Sequence, residues 1–328
     1  MHSIALIAKY FGKPSAFLSA WLFTAGLNPT VDFIFLTDDA KQYKDYPSYP
    51  NIHFFTISEN EFAERALKAC PGVTKINMKK FGYHCNQFRP MFGVMFEDLL
   101  EKYDFWGYVD TDVIFGDIRS FFADDLLEKF DKFLDRGHFT LIRNDPEVNK
   151  RYLLSDKYCR ITYKQICKTS LNYGFDEMHG INRIYQAKGF PFFSNHDWIL
   201  DCLLFRNEFS PSQKENSFFG RSVYLEHLGS KLFCIDAKTK DKKEILYAHF
   251  QKRNIALPTT PLEDHFLIVP NQICSTEGLD VDLLVQKSCK KTSPLLVGLR
   301  AALKKFRTIP RYVGLLMLFL SRPKSAGD

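Results

Sequence analysis

The sequence predicts an α/β protein with a mostly parallel central sheet flanked by helices. Short continuous apolar runs alternate with stretches in helical period through the first half of the chain. Strands separated by helices favour right-handed crossovers, which lay successive strands parallel. The 328 residues are 45% hydrophobic and 15% aromatic, enough apolar mass for one large core or a core plus a smaller lobe. No internal repeat, low-complexity segment or Gly/Ser linker divides the chain.

The elements follow in order. Residues 3–8, "SIALIA", read as a buried parallel strand. Residues 15–26 read as a helix that starts near Pro14 and ends at Gly26. "VDFIFLTDD" (31–39) is a second strand closed by Asp38 and Asp39, and "NIHFFTIS" (51–58) a third. Ser58 with Glu61 three residues later makes a capping box for a helix over 58–69. Residues 86–103 predict a long helix, because Met91, Met95 and Leu99 repeat at i+4 beside a second row of Phe92, Phe96 and Leu100. "YDFWGYVDTDVIFGD" (103–117) is a fourth strand, 118–134 a helix, and 138–143 a strand that ends at Asn144 and Asp145. Asp145 reads as a cap for the next helix or as a residue on the acceptor side of a site. Residues 176–189 predict a helix closed by Gly189, and 230–236 and 243–252 are strands.

Composition narrows the function. The formal charge is +6 without a dense Lys/Arg block, which suits anionic small molecules or an acidic membrane surface and disfavours nucleic acid. Eight scattered cysteines with no Cys-x-x-Cys pair read as reduced thiols, not a zinc site. The start lacks the apolar run of a signal peptide, and no stretch approaches the roughly 20 apolar residues of a spanning helix. A cytoplasmic location is expected. Residues 295–324 intersperse apolar residues with Arg300, Lys304, Lys305, Arg307, Arg311 and Arg322, with no acid among them. This is the composition of a helix lying on an anionic leaflet, or of a terminal helix with a solvated basic face.

The most informative feature is the pair Asp110 and Asp112 inside an apolar strand. Residues i and i+2 of a strand face the same way. At the carboxyl end of a parallel strand both would point into the crevice where open α/β sheets bind ligands. Two ionised carboxylates there repel, and burial without compensation is costly. A hard divalent cation, Mg2+ or Mn2+, resolves the conflict and leaves room for phosphate oxygens. The alternative is a surface turn with solvated acids, which the apolar flanks "FWGYV" and "VIFG" disfavour.

This apolar strand carrying Asp-x-Asp resembles the DxD motif of GT-A glycosyltransferases, which use a nucleotide-sugar donor. "NQFRPMFGVMFEDLLEKYDFWGYVDTDVIFGDI" (86–118), "GHFTLIRND" (137–145), "FDEMHGINRIY" (175–185) and "LYAHFQKR" (246–253) together resemble an uncharacterised family of bacterial polysaccharide-type transferases, akin to capsular and mannosyltransferase-like DxD enzymes. The resemblance implies a GT-A fold over residues 1–255, with a nucleotide-binding half over about 1–118, an acceptor half over about 119–255, and a C-terminal extension over 256–328. It implies that Asp110, Asp112 and His249 hold Mn2+ or Mg2+, and that Lys252, Arg253 and Arg89 meet phosphate. Relatives tend to carry lysine where Arg89 stands, and Arg prefers bidentate geometry. Asp176 and Glu177 would face the donor sugar or acceptor hydroxyl, although Asp176 reads equally well as a helix cap. Tyr10 would stack on the nucleobase, and Asp38 and Asp39 would lie near the ribose or base. Packing and turn chemistry account for these three as well.

The function expected is a metal-dependent, hexosyltransferase-like transfer from a UDP- or GDP-linked sugar to a glycan or lipid-linked acceptor, peripheral on the membrane, with retention implied by the resemblance alone. Two other readings stand beside it. A haloacid-dehalogenase-type phosphatase would use the Asp110/Asp112 pair as nucleophile and acid. A glycan-binding scaffold would keep a transferase-like core without turnover.

Overall fold

The computed structural model describes residues 1–79, 81–251 and 253–303. Lys252 and positions 304–324 of the basic tail lie outside the described residues. In chain order the described strands are β1 (Ile4–Tyr10), β2 (Val31–Thr37), β3 (Ile52–Thr56), β4 (Phe105–Val109), β5 (Val113–Phe115), β6 (Lys132–Arg136), β7 (Phe139–Arg143), β8 (Phe192–Phe193), β9 (Ile199–Asp201), β10 (Val223–Leu228), β11 (Lys231–Asp236), β12 (Lys242–Ile245), β13 (Tyr247–His249), β14 (His265–Val269) and β15 (Gln272–Ser275).

The main sheet has the order β3-β2-β1-β4-β7-β6-β8. β1, β2, β3 and β4 run parallel, and β7 joins β4 antiparallel. Its strands are apolar on both faces, as a sheet covered by helices requires. Ala5, Ile7, Ile34, Leu36, Trp106 and Tyr108 face one core, with the helix Glu59–Ala69. Leu6, Ala8, Phe33, Phe35, Phe105 and Val109 face the other, where Trp21 of the helix Leu18–Gly26 meets Phe33, Phe35 and Phe115 edge-on at 5.4, 5.5 and 5.6 Å. This is the expected fold class: α/β, with a mostly parallel central sheet flanked by helices.

Two smaller sheets complete the described chain. β5, β13 and β9 form one, and β12-β11-β10-β14-β15 form an antiparallel second. Because β10 pairs with β14, the second sheet joins residues on both sides of position 255.

Several elements differ from the sequence reading, among them the strand over 243–252, which is β12 and β13 in two different sheets. The long helix over 86–103 is instead a 3-10 segment, Cys85–Met91, and two single turns, Phe92–Met95 and Glu97–Leu100. Pro90 cannot donate to a helical ladder, and Phe96 leaves helical geometry at φ −122, ψ 32. The helix over 118–134 is two turns, Ile118–Phe121 capped by Asp117 and Asp124–Leu127, followed by β6. The strand over 103–117 breaks after Val109 and resumes at Val113 in a different sheet. The Asp110-Thr111-Asp112 stretch is the chain's passage between the two.

Candidate functional site

The passage between sheets is held by its backbone. The Asp110 N–H donates to the His138 carbonyl at 3.0 Å. The Trp21 indole donates to the Asp110 carbonyl at 3.0 Å, and the Phe250 N–H to the Asp112 carbonyl at 3.0 Å. The acids are therefore carried on a fixed frame.

Strand register brings the third member. β13 pairs antiparallel with β5, setting His249 opposite Val113, and parallel with β9, setting His249 opposite Asp201. His249 Nε2 then lies 3.5 Å from Asp112 Oδ1 and 4.0 Å from Asp110 Oδ2. Its Nδ1 lies 2.8 Å from Asp201 Oδ1. Burial alone would lower the pKa of His249, but Asp112 and Asp201 outweigh it and push the value up to about 10.

The donor set fits a divalent cation. One ligand atom each from Asp110, Asp112 and His249 lies within 4.8 Å of the other two. Two carboxylate oxygens and one imidazole suit Mn2+, and Mg2+ through the oxygens. The cation would take the place of the proton on Nε2. His138, Asp201 and His249 form a second such group among the described residues, fully buried. Its Asp201 and His249 atoms already satisfy each other in a hydrogen bond, so the outer trio is the better cation site.

Behind the acids sits Arg89, which is 3% exposed. Its Nη2 pairs with Asp110 Oδ1, and its Nη1 lies 3.2 Å from Asp176 Oδ2 and donates to the Gly137 carbonyl at 2.8 Å. Sequence reasoning set Arg89 at a donor phosphate; in the folded chain its guanidinium is occupied by two carboxylates. Asp176 is buried, and burial pushes its carboxyl up to about 7 despite Arg89 beside it. The expected helix over 176–189 begins only at Ile181, which leaves Asp176 and Glu177 in the preceding turn. Glu177 Oε1 accepts from the Gly137 N–H at 2.7 Å, and the Tyr108 hydroxyl donates to the Asp176 carbonyl at 3.1 Å. A Cβ on residue 137 would stand 2.7 Å from Asp176 Oδ2 and 3.0 Å from Glu177 Oε1, so any larger residue there would push these carboxylates aside.

A cleft of about 890 Å³ opens in front of these groups, lined by Tyr10, Asp110, Asp112, Asp176, Glu177 and His249 among others. Arg253 also lines it and donates to the Leu203 and Asn207 carbonyls. Asp38 accepts from the Gly12 N–H at 2.9 Å, and Asp39 caps the turn Ala40–Tyr43; both order the local backbone and do not line the cleft. Asp145 caps Pro146–Asn149, and Asn144 ties to the Leu100 and Tyr103 carbonyls. Gly137, His138 and Asp201 were missed in the sequence. The one signal for Asp201 was an acid ending the apolar run "WIL".

No curated protein matches the chain. Among solved structures, the galactosyltransferase LgtC in complex with donor and acceptor sugar analogues is similar at 9% identity and a TM-score of 0.41, over 90% of this chain and 99% of that one. Mouse xyloside xylosyltransferase 1 is similar at 10% identity and a TM-score of 0.36, over 61% of this chain and 88% of that one. A glycosyltransferase involved in glycosylation of the major capsid of PBCV-1 is similar at 13% identity and a TM-score of 0.33, over 76% of this chain and 93% of that one. Likeness at this level leaves residue roles to be read from the site itself. One family model matches residues 6–277, and the chain belongs to that family, described as a family of unknown function (DUF6625).

Proposed function

We propose that this chain is a metal-dependent glycosyltransferase of hexosyltransferase type, moving a sugar from a UDP- or GDP-linked donor to a glycan or lipid-linked acceptor in polysaccharide assembly. One observation carries the reading: Asp110, Asp112 and His249 converge at the wall of a nucleotide-sized cleft. Bound there, Mn2+ or Mg2+ would neutralise the donor diphosphate and ease its departure. Asp110, Asp112 and His249 hold the ion, and Arg89 holds Asp110 from behind. Tyr10, on the cleft wall, stacks on the nucleobase, and Asp38 and Asp39 shape the loop beside it. Lys252 meets phosphate charge. Asp176 and Glu177 face the donor sugar or the acceptor hydroxyl; Asp176, titrating near neutrality, can accept or donate a hydrogen bond there.

The chain works at the inner face of a membrane in this reading. Leu295, Leu299 and Leu303 follow one another at i+4 and are 84%, 57% and 57% exposed, and the residues up to 324 add cations without acids. No helix among the described residues is long and apolar enough to cross a membrane. Cosedimentation with anionic vesicles, absent with neutral ones, tests this part.

The deciding experiment is a panel of nucleotide sugars with Mn2+, scored by nucleoside-diphosphate release. Asp112→Asn and EDTA should each abolish release while the fold persists. Undiminished turnover in either refutes the metal role. Phosphate release from a simple phosphomonoester would instead favour the phosphatase reading.

A further inference from the structure

We infer that Asp201 is the positioning residue that makes His249 a metal ligand, by fixing which ring nitrogen faces the two acids; this rests on the metal site proposed above. Asp201 ends β9, is 6% exposed and does not touch the cleft. Four donors converge on its carboxylate. His249 Nδ1 at 2.8 Å and Gln251 Nε2 at 2.7 Å meet Oδ1; Ser212 Oγ and Gln213 Nε2, the latter at 3.0 Å, meet Oδ2. Only a group that accepts and never donates satisfies all four. A carboxylate in that place demands the hydrogen on His249 Nδ1, so Nε2 is the nitrogen that can give up its proton and offer its lone pair to a cation between Asp110 and Asp112.

The surroundings are built around this contact. Gln251 sits at φ 52, a left-handed conformation that a residue other than glycine adopts at an energetic cost, next to the strand that carries His249. Its amide turns back onto Asp201. The other face of the His249 ring stacks on His138, with centroids 4.1 Å apart and planes inclined by 24°. His138 is in turn held by the Tyr247 hydroxyl, 2.8 Å from its Nδ1. The imidazole thus has its edge set by Asp201 and its plane by His138.

Asp201→Asn is nearly isosteric but presents an amide N–H to a nest of donors, whichever way it turns. Mn2+ affinity, read by electron paramagnetic resonance on the full-length chain, should fall roughly 10- to 100-fold in this variant. Asp112→Asn serves as the reference for loss of a direct ligand. Equal affinity of wild type and Asp201→Asn overturns the inference and leaves the metal site standing. If wild type and Asp112→Asn both fail to bind Mn2+, the metal site fails and the inference with it. Long-range proton–nitrogen spectra of the wild-type chain loaded with Cd2+, a diamagnetic ion that takes an imidazole ligand, need no variant to fold. A hydrogen on His249 Nδ1 and none on Nε2 is expected, and the opposite tautomer overturns the inference.

Discussion

Arg89→Met is the sharpest perturbation of the site that leaves every proposed metal ligand in place. Methionine keeps much of the stem packing and removes the guanidinium between Asp110 and Asp176. Removing one partner of a buried ion pair costs about 3–5 kcal/mol, because the other charge is left behind uncompensated. Here the cost depends on pH. Asp176 already titrates at about 7 in the folded chain, well above its unfolded value, so folding takes up a proton between those limits and stability falls as pH rises through them. Without Arg89 its folded pKa moves higher still. Below pH 6 the carboxyl is neutral in both proteins and loses little by losing its partner. Above pH 7 only the variant stays protonated, and the destabilisation relative to wild type should grow by about 1.4 kcal/mol per pH unit. Urea unfolding of both proteins at pH 6 and pH 8 measures this directly. A difference that is the same at both pH values, or below about 1 kcal/mol at pH 8, refutes the account of Arg89 as counter-charge to a buried carboxyl.

Three further outcomes follow from single contacts. Gly107→Ala places a Cβ 2.2 Å from the Thr140 carbonyl of the neighbouring strand and 2.7 Å from Leu6, so it should destabilise by about 3 kcal/mol or more in denaturant melts. Gly137→Ala displaces Asp176 and Glu177 without touching Asp112 or His249, so it should reduce turnover more than Mn2+ affinity, measured side by side. His84 is buried, and burial lowers its pKa to about 4; the unfolded chain binds its proton first on acidification. Stability is therefore lost as pH falls from about 6.5 towards 4, and His84→Phe should flatten that limb by about 1.4 kcal/mol per pH unit in melts across the range.

Hydropathy alone carried the fold class, because strands buried on both faces must be continuously apolar and the helices between them must repeat at 3.6 residues. It also marked Asp110 and Asp112, the two acids that interrupt such a run where the chain passes from one sheet to another. Asp145 as a cap, and Ser58 accepting from the Glu61 N–H, were legible for the same reason: capping is local chemistry. What failed locally failed where tertiary contacts outvote period. Residues 86–103 have the spacing of a long helix, yet Pro90 and the packing around Phe96 break it, and this places Arg89 under the acids instead of on a helix surface. Asp201, Gly137 and His138 are silent in sequence because their roles arise from register. Asp201 matters only because β9 lies parallel to β13, and Gly137 only because the β6–β7 turn passes between Arg89 and Glu177. Sequence by itself marked the two side chains that repel one another, Asp110 and Asp112, between which the proposed cation would stand. The tertiary structure decided which histidine nitrogen, which arginine and which buried carboxylate stand around them, because hydrogen bonds between strands far apart in the chain are set by pairing and not by neighbours.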